Sequence, residues 1–488
     1  MDRLGIDALI AAPDERHSAD VCVIGSGLAG AIVARECIDS GRDVVMIEAG
    51  PLWRRRIHTR LIERYLRSNH LRMRLWLRGS RYDRALHQSV GEPSYPISNL
   101  ALIVRGGASL AWSGFAYRMQ PEDFALRELT GQGEDWPISY ANLERHYRRA
   151  EQTLRVQGDH TDPGHPPRSG PFPIAPRPYE PRDDVPFAQL VGRESVMHHN
   201  WAVSVGGLPL AADEILDGLE RRRLKLLSSC VAHRLVLDGA RRCVAVEART
   251  VGDRSVHLEA GAVVVCCGGL ESPKLLAASR TSVHSAGLGN QGGQLGHNLV
   301  SHTGINIGGP LPSGLAEGPP VPTAASRRWD SIAEQRDGKF LVLWRPRRGS
   351  GMVLNGVLEQ HPQHANRVEL AKGLDHFGLP RTVLHYSHDS AHVRRIAEVA
   401  ELLRTMMRRQ GLEITIDDTY IHAHPMCTTR MSDNPEKGVV DRDLRVHGTE
   451  NVFVCGSSSF TTGAAAHPTL TIAALAHRLG ALLAHGST

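Results

Sequence analysis

Apolar runs punctuated by glycine open the first patterned stretch of the chain. Val21 to Ile24 is continuously apolar, as a strand buried on both faces requires, and runs into Gly25-Ser-Gly27-Leu-Ala-Gly30. Ile32, Val33 and Ile38 then share one side of a helix that Gly41 stops, and Val44 to Ile47 is a second buried strand ending at Glu48. Further on, "DWPISYANLERHYRRAEQTL" is a turn entering an amphipathic helix with Ser139 as its N-cap. Residues 222 to 268 alternate strand-like runs with turns at Asp238-Gly239 and Gly252-Asp253, a meander that returns through Val263 to Cys266 before "GLESPKLLAAS" begins a helix. Residues 300 to 400 are more polar and irregular, with strands expected at 339–345, 352–360 and 382–387. A buried strand, a loop of small residues and a helix starting near Pro468, with Leu470, Ala474, Leu475 and Leu479 inward, complete the pattern.

The first strand, turn, helix and strand form a βαβ unit with a chemical job. Gly25 makes the tight turn, Gly27 admits a pyrophosphate to the helix N-terminus, Gly30 allows helix and strand to pack, and Glu48 can accept from a ribose hydroxyl. A second glycine-rich stretch, "IVRGGASLAWSGFAYRMQPEDF", suggests backbone passing against something flat. The nine prolines of residues 158–187 mark the best linker in the chain.

At 488 residues the chain exceeds one core, so two domains or a large domain with an added layer are expected. Its 41% hydrophobic content, 48 glycines and 28 prolines fit a globular protein with many turns. The net charge of +5 is small, and only five of the 57 basic residues are lysine, a bias that gives no reason to expect a nucleic-acid partner. The basic cluster at 54–78 lacks the interleaved aromatics of a single-strand binder and fits a solvated pair of helices best, with a phosphate patch or subunit contact as alternatives. Eight scattered cysteines without C-x-x-C spacing fit buried thiols in a reducing compartment. With no apolar leader and no run of 18 apolar residues, a cytoplasmic protein without a membrane span is expected.

"IHAHPMCTTRM", residues 421–431, sets two histidines two apart and a cysteine three beyond. It can be a metal site, a piece of core, or the reactive end of an enzyme. A metal needs further ligands at the right spacing, and none is expected here. The core reading has weight in a chain with 26 histidines.

Taken in order, "VIGSGLAGAIVA", "IEAG", "RGGASLAW", "WPISYANLERHY", "VVVCCGGLESPKLL", "LGHNLVSH", "HPMCTTRM", "VVDRDLRVHGTENVFVCGSSSF" and "HPTLTIAALAHRL" resemble the glucose-methanol-choline (GMC) oxidoreductase family over nearly the whole chain. The resemblance implies an α/β fold: a Rossmann-like FAD-binding domain of discontinuous segments plus an α+β substrate domain with an antiparallel sheet. The expected division is FAD-binding at 1–157, 196–299 and 416–488, a linker and substrate-domain segment at 158–195, and a substrate domain at 300–415. Carried over, Gly25, Gly27, Gly30 and Glu48 would hold the ADP half, and Gly106, Gly107 and Ser109 would lie along the flavin and its phosphates. Val231 would meet adenine, Gly456 and Ser457 the ribityl chain, and Thr469 the pyrimidine edge, where the positive end of the last helix would favour negative charge.

His424 falls on the family's catalytic base and His467 on its His/Asn partner, while Cys427 stands where the family has glycine. The implied reaction oxidises an alcohol to a carbonyl by hydride transfer to flavin N5, with His424 taking the hydroxyl proton. A neutral imidazole suits that task, worth ~10²- to 10⁴-fold. His467 would orient the substrate oxygen. The segment after Gly107 has Ala111 and no histidine, so the FAD is expected to be non-covalent. Trp112 resembles the sugar-oxidising branch of the family. The expected substrate is a sugar, amino-sugar of aminoglycoside type, or polyol, with the electron acceptor open among oxygen, a quinone and a carrier protein. The rivals are a non-redox lyase of the same family that cleaves cyanohydrins, and a non-enzymatic flavoprotein.

Overall fold

The computed structural model describes residues 15–51, 87–96, 102–110, 112–179, 187–203, 209–219, 222–239, 241–250, 254–310, 324–332, 335–347, 351–375, 379–422 and 424–485. The basic cluster at 54–78, Ala111 and the turn at Gly252-Asp253 lie outside the described residues.

Strand β1 (Glu15–Ile24) is the axis of the first sheet. It runs parallel to β2 (Val44–Ile47) on one side and to β10 (Ser255–Val265) on the other. Beyond β2 lies β7 (Leu224–Leu227), and beyond β10 lie the antiparallel β9 (Cys243–Thr250) and β8 (Cys230–Leu237). The start of β10 pairs with β9, while its last three residues pair in parallel with β18 (Val452–Val454). Helix α1 (Leu28–Asp39), buried over ten of its residues, follows β1. It packs against α6 (Thr469–Ala484), which also touches α2 (Tyr140–Leu154). Ser139 caps α2 as expected, accepting from the Asn142 amide. The carboxyl ends of β1, β2, β10 and β18 therefore open on one edge, the place where parallel nucleotide-binding sheets take their ligand.

The second sheet is antiparallel throughout. Its order is β17 (Ile416–Ile421), β11 (Thr303–Pro310), β14 (Gly351–Leu358), β13 (Phe340–Arg347), β12 (Ala324–Ser326) and β5 (Val196–His198). Alternation divides its residues between two faces. Phe340, Val342, Trp344, Leu354 and Leu358 pack with Val399, Leu403 and Met407 of α5 (Ser390–Arg409), whereas Leu341, Leu343 and Val357 join the core of the first sheet. Smaller pieces are a sheet of β15 (Arg367–Leu374), β16 (Pro380–His385) and β3 (His87–Val90), and the pair β4 (Val156–Gln157) with β6 (Trp201–Ala202).

Three of the expected strands appear with shifted ends, as β13, β14 and β16. Two boundaries differ from the expected division. Residues 196–198 and 416–421, expected within FAD-binding segments, pair as β5 and β17 at opposite edges of the second sheet. Local pattern gives a strand's existence, but its partner lies some hundred residues away in the chain. The proline-rich stretch is held to α2 at Pro167 and Arg168: Arg168 makes two bonds to Glu151 of α2, at 2.9 and 2.7 Å, and the Pro167 carbonyl accepts from Tyr140 at 2.6 Å.

Candidate active site

Two of the three glycines in the first turn are demanded by the protein itself. A Cβ on Gly25, at φ +102°, would lie 2.5 Å from the Cys266 carbonyl oxygen, and one on Gly30 would lie 2.0 Å from the Gly25 oxygen. Gly27 is different. Its backbone is extended, a Cβ there would meet no atom within 4 Å, and it heads α1 with no side-chain cap and no acid in the first turn. Nothing among the described residues requires glycine at 27, and the uncapped helix N-terminus beside it is open to an anion. The second glycine pair closes on this turn. Gly106 donates to Ser26 Oγ at 3.0 Å, and a Cβ on Gly107 would sit 3.3 Å from the Gly27 Cα.

Glu48, at the end of β2, is buried and accepts from the Ser26 amide at 3.0 Å, the Ser26 hydroxyl, and the Gly50 amide at 2.7 Å. Burial raises its pKa, and these three donors pull the other way. Ser109 is committed within the protein, donating to the Gly106 carbonyl at 2.6 Å and accepting from Ala212 at 2.8 Å. Val231 follows Cys230, whose amide donates to the Glu48 carbonyl, so β8 lies beside the acid. Gly456, beyond β18, faces open space, and Ser457 donates to the Pro425 carbonyl at 2.7 Å. Thr469 begins α6, which has no side-chain cap and no acid in its first turn. The Trp112 indole is spent on the Leu210 carbonyl at 2.8 Å.

The histidines are placed by the second sheet and by α6. Thr303 pairs with Ile421 across β11 and β17, so His302 and His422 emerge together at the ends of neighbouring strands, joined by an amide-to-carbonyl bond of 2.9 Å. Two residues on, the His424 amide donates to Ser301 Oγ at 3.2 Å. The following turn is laced to residues 457–459 by the amides of Cys427, Thr429 and Met431. Cys427 sits at φ +71°, the region glycine occupies most readily. His467 immediately precedes Pro468, the N-cap of α6. The rings of His424 and His467 come within 5.4 Å centroid to centroid, His422 stacks on His424 at 4.9 Å, and His302 crosses His424 at 5.1 Å.

Hydrogen bonds fix how these rings carry their protons. His302 Nε2 lies 2.9 Å from the Ala464 carbonyl, which can only accept, so Nε2 bears the hydrogen. The neutral ring then has a bare Nδ1, 2.9 Å from His424 Nδ1, and that contact requires His424 to donate from Nδ1. The remaining lone pair of His424, on Nε2, has no partner among the described residues. Burial depresses the pKa of all four rings, that of His302 to about 4, and for the other three the neighbouring imidazoles add to it. All four are therefore neutral at ordinary pH.

Around them lie Phe115, edge-on to His467 at 4.8 Å, and His199, which contacts Phe115 and is bonded to the Tyr117 hydroxyl. His422 Nε2, His467 Nδ1, His199 Nε2 and Arg345 Nε are buried without a partner among the described residues. Such clustering of orphaned polar atoms in one cleft suits a ligand rich in hydroxyls. Sequence reasoning paired His424 with His467 but assigned no role to His302, although it ends the motif "LGHNLVSH". Tyr117, His199 and Arg345 carried no motif.

A mixed sheet whose parallel strands end at an open, uncapped glycine turn, facing an antiparallel layer across a cluster of neutral imidazoles, is the architecture of a dinucleotide-dependent oxidoreductase with a separate substrate layer. Two family models described as GMC oxidoreductase match residues 210–304 and 362–476. The fructose dehydrogenase large subunit of Gluconobacter japonicus is 24% identical, over 95% of this chain and 97% of the relative. Paromamine 6'-oxidase of Streptomyces fradiae is 27% identical, over 95% and 91%. A formate oxidase from Aspergillus oryzae RIB40 has the same fold, with a TM-score of 0.69 over 97% of this chain and 99% of that one, at 16% identity. Over those two segments the chain matches the GMC oxidoreductase family. No helix among the described residues is long and apolar enough to cross a membrane.

Proposed function

We propose that the protein uses non-covalently bound FAD to oxidise an alcohol hydroxyl on a sugar, amino-sugar or polyol, giving a carbonyl. Bound FAD would supply the acceptor for the hydride leaving the alcohol carbon, and oxygen, a quinone or a carrier protein would re-oxidise it. The N-terminus of α1 with Gly27 would hold the diphosphate, Glu48 a ribose hydroxyl, Val231 adenine, Gly106 and Gly107 the adjoining part of the cofactor, Gly456 and Ser457 the ribityl chain, and Thr469 the ring's pyrimidine edge. Ser109 would act by shaping the second glycine turn.

The observation that carries this reading is the chain from the Ala464 carbonyl through His302 to His424. With its Nδ1 proton held by His302, His424 presents an unprotonated Nε2, the group a departing hydroxyl proton needs. His467 would donate to the same oxygen and aim the C–H bond. Fructose dehydrogenase and paromamine 6'-oxidase both act, by their names, on carbohydrate-like molecules, which supports the substrate class. All eight cysteines are free, and all but Cys267 are buried, which supports a reducing, cytoplasmic setting.

Anaerobic mixing of the yellow holoenzyme with an alcohol panel tests the proposal. A substrate should bleach the flavin in a single turnover, and His424→Gln should slow that bleaching by ~10²- to 10⁴-fold. A compound cleaved while the flavin stays oxidised would point to the lyase reading instead. Acid precipitation should leave the flavin in the supernatant; colour retained on the protein would overturn the non-covalent assignment.

A further inference from the structure

Arg345 stands on β13 two residues beyond Leu343, so it springs from the side of the second sheet that faces the first. Its guanidinium carbon lies 5.1 Å from the centre of the Phe115 ring, which in turn meets the His467 ring at 4.8 Å. Its Nε is buried and has no hydrogen-bond partner, and no carboxylate pairs with it among the described residues. Arg345 itself is half-buried, and the buried arginines Arg105, Arg118 and Arg327 each face an acid, at 2.8, 2.8 and 3.4 Å. Asp418 is on the same face, but it is exposed on the edge strand β17, where its carboxylate takes the Asn306 amide at 2.8 Å. Leaving the guanidinium's Nε buried without a hydrogen-bond acceptor is costly unless a ligand provides one.

We propose that Arg345 anchors an oxyanion at the far end of the alcohol substrate, so that the preferred substrates are hydroxy acids or phosphorylated polyols rather than amino sugars. This rests on the alcohol oxidation proposed above and narrows it. The fork of the guanidinium matches two oxygens of a carboxylate or phosphate, and its position over the Phe115 ring helps to hold it in place. An ammonium group in the same place would meet a like charge, with none of the carboxylates needed to offset it. No carboxylate figures among the charges that act on His302, His422, His424 or His467, whereas Arg345 acts on both His422 and His467.

The test compares four compounds of one skeleton with the holoenzyme under anaerobic conditions: D-gluconate, D-glucitol 6-phosphate, D-glucitol and 1-amino-1-deoxy-D-glucitol. Flavin bleaching gives kcat/KM for each, and succinate, which has no hydroxyl, is titrated separately against Tm. Gluconate or the phosphate should exceed glucitol by at least ~10-fold, and which of the two leads identifies the oxyanion. That advantage should fall by ~10- to 100-fold in Arg345→Gln, mostly through KM, and be partly kept in Arg345→Lys. The succinate shift should vanish in the Gln variant.

A preference for glucitol or the amine, or an acid advantage unchanged in Arg345→Gln, overturns the anchor and leaves the alcohol reading standing. Bleaching by none of the four, with a succinate shift that needs Arg345, keeps the anchor and sinks the alcohol reading. Neither bleaching nor shift overturns both.

Discussion

An imidazole accepts a proton only while neutral, and burial keeps His424 so. Its pKa lies well below the usual value of 6.5, first through desolvation and then through the nearby His302. Because protonation removes the base, lowering the pKa extends activity toward acid. The rate of flavin reduction at saturating substrate should therefore stay level from pH 8 to below 6, and a titration centred near 6.5 would show that His424 is not the group in question. His302 acts through His424: removing its acceptor nitrogen frees the base to place its proton on either side. His302→Phe should slow flavin reduction by ~10- to 100-fold with little change in substrate affinity, measured by stopped-flow. None of this is legible in residues 421–431 alone. The sequence supplies a histidine at 424, but its tautomer is set by a carbonyl at 464 and a ring at 302.

At the scale of elements, the glycine turn separates what the fold needs from what the cofactor needs. Gly25→Ala and Gly30→Ala drive a methyl group into backbone oxygen and should lower the Tm of protein stripped of flavin. Gly27→Ala has room and an ordinary backbone conformation, so the stripped protein should keep its Tm while flavin affinity drops. Equal losses of Tm in all three would remove the reason for assigning Gly27 to a ligand. Helix α2 offers a control far from chemistry. Ser139→Ala breaks a reciprocal cap with Asn142 and should cost about 1 kcal/mol in urea unfolding, without altering flavin content. These elements were readable because their signals are local: a cap three residues from its partner, an apolar run ended by glycine. Residues 196–198 and 416–421, expected within FAD-binding segments, join the second sheet as β5 and β17 because an edge strand's sheet is chosen by a remote partner.

The two layers of the whole molecule are joined by a buried cluster of charge. Lys339, immediately before β13, pairs with Asp123 and, at 3.0 Å, with Asp330, while Arg327 faces Asp330 at 3.4 Å. Glu359 completes a group of three acids against two cations, and burial pushes its carboxyl and that of Asp123 up to about 7. Lys339→Met strands two buried acids and should cost ~3–5 kcal/mol in thermal or urea unfolding. The imidazole cluster adds a pH dependence. Its rings have folded pKa values below the unfolded 6.5, so the unfolded chain binds more protons as pH falls and stability declines below that point. Asp123 and Glu359, with raised values, act in the opposite sense and lose stability as pH rises through about 7, and Glu48 acts with them, but four rings outnumber three acids. Tm should thus fall between pH 6.5 and 5; a rise over that interval would contradict the burial of the four rings. By itself the sequence determined the nucleotide-binding edge and the helix at Pro468, because glycine spacing, apolar runs and caps act over a few bonds. Only the tertiary structure decided that His302, His424 and His467 share one cleft with an unpaired Arg345, since those side chains come from three strand ends and a helix start that are brought together by the register of the second sheet and the packing of α6 on α1.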